Sequence, residues 1–122
     1  MIDRIRLTAT AKNQLITLKR KTGLQHYNSF CRHALCLSLA NSSEIPPENL
    51  NFSGGLEIDW STISGDTSSV LINLIYTAHK EQVISEEQLK TEITQHIHRG
   101  LSYLYNMSAD EIIKKLERPL TH

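Results

Sequence analysis

The stretch MIDRIRLTATAKNQLITLKRKTGLQHYNSFCRHALCLSLA, residues 1–40, holds the signals that decide how the chain begins to fold. Residues 3–8 alternate charged or polar and apolar side chains, which predicts a short strand with two different faces. One face carries Arg4, Arg6 and Thr8, and the other carries Ile5 and Leu7. No partner strand is evident elsewhere in the sequence, and an unpaired edge favours pairing with a second copy of itself. We therefore expect an obligate homo-oligomer.

Two amphipathic helices are predicted after the strand. Thr8 or Thr10 can cap the first helix, and Gly23 ends it as a left-handed residue. The second helix is predicted to begin at Asn28, an N-cap residue type, and to end near Asn41. The apolar spacing predicts that Ala11, Leu15 and Leu18 are buried in the first helix, and Phe30, Cys31, Ala34, Leu35 and Ser38 in the second.

Residues 42–65 are rich in Pro, Gly, Asn and Ser, which indicates an irregular connector. Within it, Leu56, Ile58 and Trp60 alternate with other residues. This pattern fits either a short strand or a loop that plugs onto the core, and we favour the plug because no partner strand is evident. We expect Trp60 to be a packing anchor and not a platform for stacked bases.

Three more helices are predicted in the C-terminal part. Asp66 is a candidate cap for the first, Ser85 and Ser108 begin capping boxes for the other two, and Pro119 stops the last. Gly100 is a candidate for a close helix crossing. The residues expected to be buried are Val70, Leu71, Leu74, Ile75 and Ala78, then Leu89, Ile93, Ile97, Leu101 and Leu104, and finally Ile112, Ile113 and Leu116.

The fold class predicted by this order is mainly α. A chain of 122 residues is long enough for one substantial core and too short for two. We therefore predict a single compact helical domain over residues 1–122 with a short N-terminal strand. Its parts are a strand and two helices (1–41), a connector (42–65) and three further helices (66–118).

The net charge is zero, but the charges are unevenly distributed. Residues 1–40 hold seven basic side chains and one acidic side chain, so the remaining residues carry an equal negative excess. Such a basic patch can bind a polyanion, whereas the alternative is that solvated helix faces simply differ in charge. The candidate phosphate contacts are Lys19, Arg20 and Lys21 first, and then Arg4, Arg6 and Lys12.

Two features of the helix ends have both a structural and a functional interpretation. The cations Lys19, Arg20 and Lys21 lie in a last helical turn, where they also complement the helix dipole. Free backbone N–H groups near Asn28 and Ser29 could face a phosphate, or only water if this helix start is solvated.

No arrangement of residue types predicts catalysis. His96 and His98 are two positions apart and point to different sides of a helix, whereas metal ligands on one face have i, i+4 spacing. Cys31 lies on the apolar stripe, so Cys31 and His33 are not placed as nucleophile and base. We predict a protein that is not an enzyme and has no cofactor or metal.

The remaining composition favours a cytoplasmic protein. Cys31 and Cys36 point to different sides of one helix and cannot bridge there, which is typical of a reducing compartment. No apolar run approaches the roughly 20 residues of a membrane span. We expect no membrane partner.

The order of a strand, a capped helix, the Thr22–Gly23 turn and a second helix with Arg-His-Ala-Leu at residues 32–35 resembles ribbon-helix-helix DNA-binding domains. In that class two N-terminal strands pair antiparallel and enter the major groove. The resemblance covers about residues 1–41. It implies that Arg4, Arg6 and Thr8 face DNA and that the start of the second helix, at Asn28, approaches a phosphate.

Five segments together carry a second resemblance, which spans nearly the full length. They are Ile-Arg-Leu-Thr at 5–8, Leu-Lys-Arg-Lys-Thr-Gly at 18–23, Asn-Ser-Phe-Cys-Arg at 28–32, Ser-Gly-Gly at 53–55 and Ser-Gly-Asp at 64–66. With these segments the sequence resembles the DndE family of bacterial DNA sulfur modification (phosphorothioation) proteins. The resemblance implies a DNA-binding homo-oligomer, for which we expect a homotetramer. Other subunits of the modification machinery would supply sulfur mobilisation and nucleotide hydrolysis.

These observations lead to one expectation and two alternatives. We expect a DNA-binding accessory subunit of a phosphorothioation system that contacts the backbone of double-stranded DNA, intact or nicked, with little sequence preference. The first alternative is a protein–protein adaptor within the modification complex. The second is a ribbon-helix-helix transcriptional repressor, which would strongly prefer a palindrome.

Overall fold

Helices make up most of the computed structural model, which describes residues 2–46, 48–79 and 84–117. A two-stranded sheet lies at the N-terminal end. The elements in chain order are β1 (Arg4–Leu7), α1 (Ala9–Thr22), α2 (Tyr27–Leu39), β2 (Leu56–Asp59), α3 (Trp60–Ser64), a 3-10 turn (Gly65–Thr67), α4 (Ser68–Ala78), α5 (Glu86–Tyr105) and α6 (Ala109–Leu116). The predicted mainly α fold, a single helical domain with a short N-terminal strand, is confirmed.

The sheet corrects the prediction for the N-terminal strand. β1 pairs antiparallel with β2 of the same chain, in a register that places Ile5 opposite Ile58 and Leu7 opposite Leu56. Both expectations, that β1 has no partner strand in the sequence and that residues 56–60 form a plug without a strand, are therefore wrong. Almost fifty residues separate the two strands, so no local turn signal links them. The pairing of two β1 strands in a ribbon stays a prediction.

α1 begins and ends where the sequence indicates. The Thr8 side chain accepts a hydrogen bond from the Ala11 backbone N–H at 3.1 Å, which makes Thr8 the N-cap. At the other end Gly23 has φ of 75°, and its N–H donates to the Lys19 carbonyl. The predicted stripe of Ala11, Leu15 and Leu18 is buried.

α2 and α5 form the most extensive helix pair and the centre of the core. At their crossing the Gly100 backbone lies against Ala34, where a Cβ on residue 100 would lie 1.8 Å from the Ala34 carbonyl oxygen. The predicted close crossing is confirmed. The residues predicted to be buried in these two helices are buried in the structure: Phe30, Cys31, Ala34, Leu35 and Ser38 in α2, and Leu89, Ile93, Ile97, Leu101 and Leu104 in α5.

Three helix starts differ from the prediction. α2 begins at Tyr27 and its N-cap residue is His26, so the predicted cap at Asn28 is wrong. The connector also contains β2 and α3, a short helix that the sequence pattern did not reveal. Asp66 belongs to the 3-10 turn and does not cap α4, because the turn moves the start of that helix to Ser68.

α4 carries apolar residues on two faces. Leu71 and Ile75 are buried as predicted, whereas Val70 and Leu74 are 54% and 45% exposed. Ala78 is also exposed, so the prediction that it is buried with Val70 and Leu74 is wrong. Only a narrow stripe of α4 reaches the core, and its outer face stays apolar.

The capping boxes of α5 and α6 are confirmed. Ser85 and Gln88, and likewise Ser108 and Glu111, exchange the side-chain and backbone hydrogen bonds that define the motif. Of the predicted apolar residues in α6, Ile112 is buried and Ile113 and Leu116 are half-buried. The predicted stop at Pro119 lies outside the described residues.

The helix crossing gives a stability prediction. We expect Gly100→Ala to lower the free energy of unfolding by about 3 kcal/mol or more, because the added Cβ would overlap the Ala34 carbonyl group and push α2 and α5 apart. Gly23→Ala is the matched control, because nothing lies within 4 Å of its added Cβ. Only the left-handed backbone conformation disfavours alanine there, and it should lower the free energy of unfolding by about 1 kcal/mol. Urea denaturation of both variants measures the difference, and equal losses would contradict the account of the crossing.

Candidate nucleic-acid interface

The outer face of α1 carries a row of side chains at four-residue spacing, formed by Lys12, Ile16 and Arg20. Arg20 is exposed, Lys12 is half-buried and Ile16 is 42% exposed. Lys19 lies beside this row, about two turns after Lys12 and one turn after Ile16 along the helix. We call these four residues the α1 row.

The three cations of the α1 row have no acidic neighbour in the described part of the chain. No described carboxylate lies within 4.0 Å of the charged groups of Lys12, Lys19 or Arg20. The Lys19 ammonium group lies over the Tyr27 ring, 5.6 Å from its centroid, a contact that leaves its charge in place. Within the described ranges, the positive charge of the α1 row is therefore not paired with a carboxylate.

Lys21, the third cation of the predicted cluster, lies on the opposite flank of the helix. Two residues along a helix correspond to about 200°, so Lys19 and Lys21 point apart. The Lys21 ammonium group donates a hydrogen bond to the Met107 carbonyl oxygen at 2.6 Å. Lys21 therefore links α1 to the turn between α5 and α6, while Lys19 and Arg20 face elsewhere.

The two arginines of β1 are paired with acids of β2. The Arg4 guanidinium lies 3.5 Å from the Glu57 carboxylate and 3.4 Å from that of Asp59, and the Arg6 guanidinium lies 3.4 Å from Glu57. Arg6 also lies over the Phe52 ring, 5.0 Å from its centroid. Two positive and two negative charges meet on this exposed face of the sheet, so its net charge is close to zero.

Thr8 and Asn28, the two polar candidates, make hydrogen bonds within the protein. The Thr8 hydroxyl caps α1, and its backbone N–H donates to His98 Nε2 at 3.1 Å. The Asn28 side-chain amide donates to the Thr62 carbonyl oxygen at 3.2 Å. The neighbouring Ser29 N–H donates to the His26 carbonyl oxygen, so part of the predicted anion site is already engaged.

A small cavity of about 280 Å³ lies between the end of α1 and the start of α2. Lys19, His26, Asn28 and Thr62 are among the residues that line it. The Gly23 turn lies between Lys19 and the start of α2 in the sequence, but the fold brings the two close together at this cavity. A phosphate-binding surface formed by both would require this proximity.

Buried and half-buried polar groups join α2, α4 and α5. Arg99 Nε donates to Ser38 Oγ at 2.7 Å, and the Ser38 hydroxyl in turn donates to His96 Nδ1 at 2.8 Å. On the other side of the ring, His96 Nε2 lies 3.7 Å from the Glu92 carboxylate, which also lies 3.3 Å from His79 Nε2. The sequence spacing gave no sign that His79 meets an acid. In the described ranges no group of three or more His, Cys, Asp or Glu side chains is arranged to hold a metal ion.

Burial lowers the pKa of three histidines. Desolvation lowers the pKa of His96 to about 4, and it also lowers the pKa of His33 and His98. His98 donates from Nδ1 to the Thr94 carbonyl oxygen and accepts the Thr8 N–H at Nε2, so only the neutral ring makes both bonds. These histidines stabilise the fold in their uncharged form.

The cysteines lack the properties of nucleophiles. Burial raises the pKa of the Cys31 thiol to about 12 and also raises that of the half-buried Cys36. A thiol with a raised pKa holds very little of the thiolate that attacks or carries sulfur.

Trp60 is buried, and its indole N–H donates to Ser68 Oγ at 3.0 Å, which confirms its role as a packing anchor.

Sequence reasoning missed one residue of this surface, Ile16. Its four-residue distance from both Lys12 and Arg20 was visible in the sequence, but the hydrophobic side chain was not considered as part of a binding face.

None of the described helices combines the length and the apolar composition needed to cross a membrane.

A family model described as DNA sulphur modification protein DndE matches residues 4–111. The crystal structure of DndE from Escherichia coli B7A, involved in DNA phosphorothioation modification, is similar with a TM-score of 0.71. The two sequences are 22% identical, and the alignment covers 85% of this chain and 98% of the other. No curated protein sequence matches the chain.

The buried histidines give a pH prediction. A histidine whose pKa is lower in the folded than in the unfolded chain favours unfolding in acid. For His96, the full contribution to folding stability is present above pH 6.5 and is lost as the pH falls towards about 4. We expect the free energy of unfolding to fall by about 2 kcal/mol or more between pH 7 and pH 4.5. Urea denaturation across this range measures it. The His96→Gln variant should lose less stability over the same pH range, because the titrating group is removed. A free energy of unfolding that does not change with pH in the unaltered protein would contradict the uncharged state of His96.

Proposed function

Because the chain belongs to the DndE family of DNA sulphur modification proteins, we propose that it is a DNA-binding accessory subunit of a phosphorothioation system. It binds the sugar–phosphate backbone of double-stranded DNA, intact or nicked, with little sequence preference. The α1 row makes the principal contacts, through Lys12, Lys19 and Arg20.

One observation carries this proposal: among the described residues, the charged groups of the α1 row make neither an ion pair nor a hydrogen bond within the protein, whereas Lys21 and Arg32 donate to backbone carbonyls. Arg4 and Arg6 face Glu57 and Asp59, which reduces their attraction for phosphate. The cations of the α1 row have no such partner among the described residues. A phosphate that approaches α1 therefore does not have to displace a carboxylate.

The chemistry of the α1 row favours backbone contacts. Lysine and arginine contacts to phosphate position a protein on DNA but carry no direct sequence information. Arg20 can form two parallel hydrogen bonds with one phosphate, while the lysines act as point charges. Little sequence preference follows from this composition.

The cysteines support an accessory role and not a sulfur-carrying one. Cys31 is buried and its pKa is raised to about 12, and burial also raises the pKa of Cys36. Neither provides the exposed thiolate that a sulfur relay needs. Other subunits then mobilise the sulfur and hydrolyse nucleotide, and this chain is not itself an enzyme. A homo-oligomer such as a tetramer would multiply the α1 rows that one DNA molecule meets.

A second candidate function, a protein–protein adaptor, is favoured by the outer face of α4. Val70 and Leu74 are exposed one turn apart, and no residue of α4 is charged. Exposed apolar surface of this kind is typical of protein contacts. The two functions use different helices, so one chain can perform both.

The cations of the α1 row give a binding prediction. We expect the triple variant Lys12→Gln, Lys19→Gln, Arg20→Gln to bind duplex DNA more weakly and to make the negative slope of log affinity against log salt concentration shallower by about 2.7. This is about 0.9 for each of three lost phosphate contacts. Fluorescence anisotropy with a labelled duplex of random sequence, over a series of salt concentrations, measures both quantities.

The matched control removes the same charge elsewhere. Lys90, Lys114 and Lys115 lie on α5 and α6, and their replacement by Gln changes the net charge by the same amount. This control should keep the slope close to that of the unaltered protein. If both triple variants lost slope equally, the effect would come from net charge and the proposed contact surface would be wrong.

A further inference from the structure

The α1 row places a hydrophobic side chain between cations. Lys12 and Arg20 are eight residues apart, about 12 Å along the helix axis, and Ile16 lies midway, about 6 Å from each. Ile16 is 42% exposed and does not belong to the set of hydrophobic residues packed against the core. Its side chain therefore projects from the middle of the charged surface.

We propose that Ile16 is an apolar DNA contact that enters a groove between phosphates held by Lys12 and Arg20. This inference rests on the proposed function and extends it from backbone binding to a contact with the sugars and base edges. When the two cations reach phosphates on opposite walls of a groove, the residue midway between them faces the space between the walls. The major groove is about 12 Å wide, which matches the separation of Lys12 and Arg20 along the helix, and apolar side chains contact the thymine methyl group there.

The charges around Ile16 favour DNA over a protein as the occupant. A protein that covered Ile16 would have to desolvate or pair Lys12, Lys19 and Arg20 as well, whereas DNA supplies regularly spaced phosphates next to apolar sugar surfaces. The outer face of α4 provides the contrast, because Leu74 has a similar exposure of 45% and no charged residue on its own helix. Ile16 thus combines hydrophobic exposure with charge complementary to DNA.

A contact of this kind has a distinct signature in a salt titration. Loss of a phosphate contact changes the slope of log affinity against log salt concentration. Loss of an apolar contact shifts the whole line without changing its slope, because no counterion is released. We expect Ile16→Ser to weaken DNA binding roughly fivefold at every salt concentration, from the exposed part of the side chain that becomes buried.

Two further variants complete the experiment. Ile16→Met keeps an apolar side chain and should bind within about twofold of the unaltered protein. Tyr105→Ser removes a similarly exposed apolar side chain from the end of α5, 44% exposed, and should leave the DNA affinity unchanged. Serine and isoleucine have similar helix propensities, so Ile16→Ser is expected to fold, and circular dichroism checks it.

The outcomes separate this inference from the proposed function. If Ile16→Ser binds like the unaltered protein while the triple α1 variant loses slope, the inference is overturned and the proposed function stands. If Ile16→Ser changes the slope itself, the residue acts through the cations and the groove contact is also overturned. If the unaltered protein fails to bind duplex or nicked DNA even at low salt, both fail together.

Discussion

The contact between α2 and α5 is the constraint on which the rest of the structure depends. The two backbones approach so closely that residue 100 must be a glycine, since any Cβ there would overlap the Ala34 carbonyl group. One turn along α2, Arg99 of α5 donates to the Ser38 carbonyl oxygen and reaches the segment that follows α2 through the Ser43 carbonyl oxygen. The Ser38 carbonyl oxygen also accepts from the Asn41 N–H at 3.1 Å, so Arg99 adds a charged donor at a helix end, where carbonyls lack partners within the helix. α5 also packs against α1 and β1, and this contact fixes where the α1 row is presented.

Local signals in the sequence predict much of this fold. Thr8, Ser85 and Ser108 lie at helix starts that depend on neighbours within three residues, and for that reason their caps could be predicted. The pairing of β1 with β2 could not be predicted in the same way, because their contact joins residues far apart in the chain and each strand has only four residues. The exposure of Val70 and Leu74 was missed for a related reason. An α4 that is apolar on both faces does not reveal which face meets the core.

The candidate site was only partly predictable from the charge pattern. The excess of basic residues before position 40 is visible in the sequence, but the sequence does not show which cations are already paired. β2 brings Glu57 and Asp59 next to Arg4 and Arg6. Because of this pairing, α1 is a stronger candidate than the strand for binding phosphate. Helical geometry then divides the Lys19, Arg20 and Lys21 cluster, since Lys21 turns towards Met107. The surface that remains is shorter than the predicted one and includes Ile16.

The central claim is that the outer face of α1 is where DNA lies. Acetylation of lysines by a small reagent, read by mass spectrometry with and without duplex DNA, tests it directly, because a lysine in contact with phosphate is shielded from the reagent. The account predicts that DNA protects Lys12 and Lys19 several-fold, while exposed Lys90 at the start of α5 reacts equally in both samples. Equal reactivity of Lys12 and Lys19 with and without saturating DNA would contradict it.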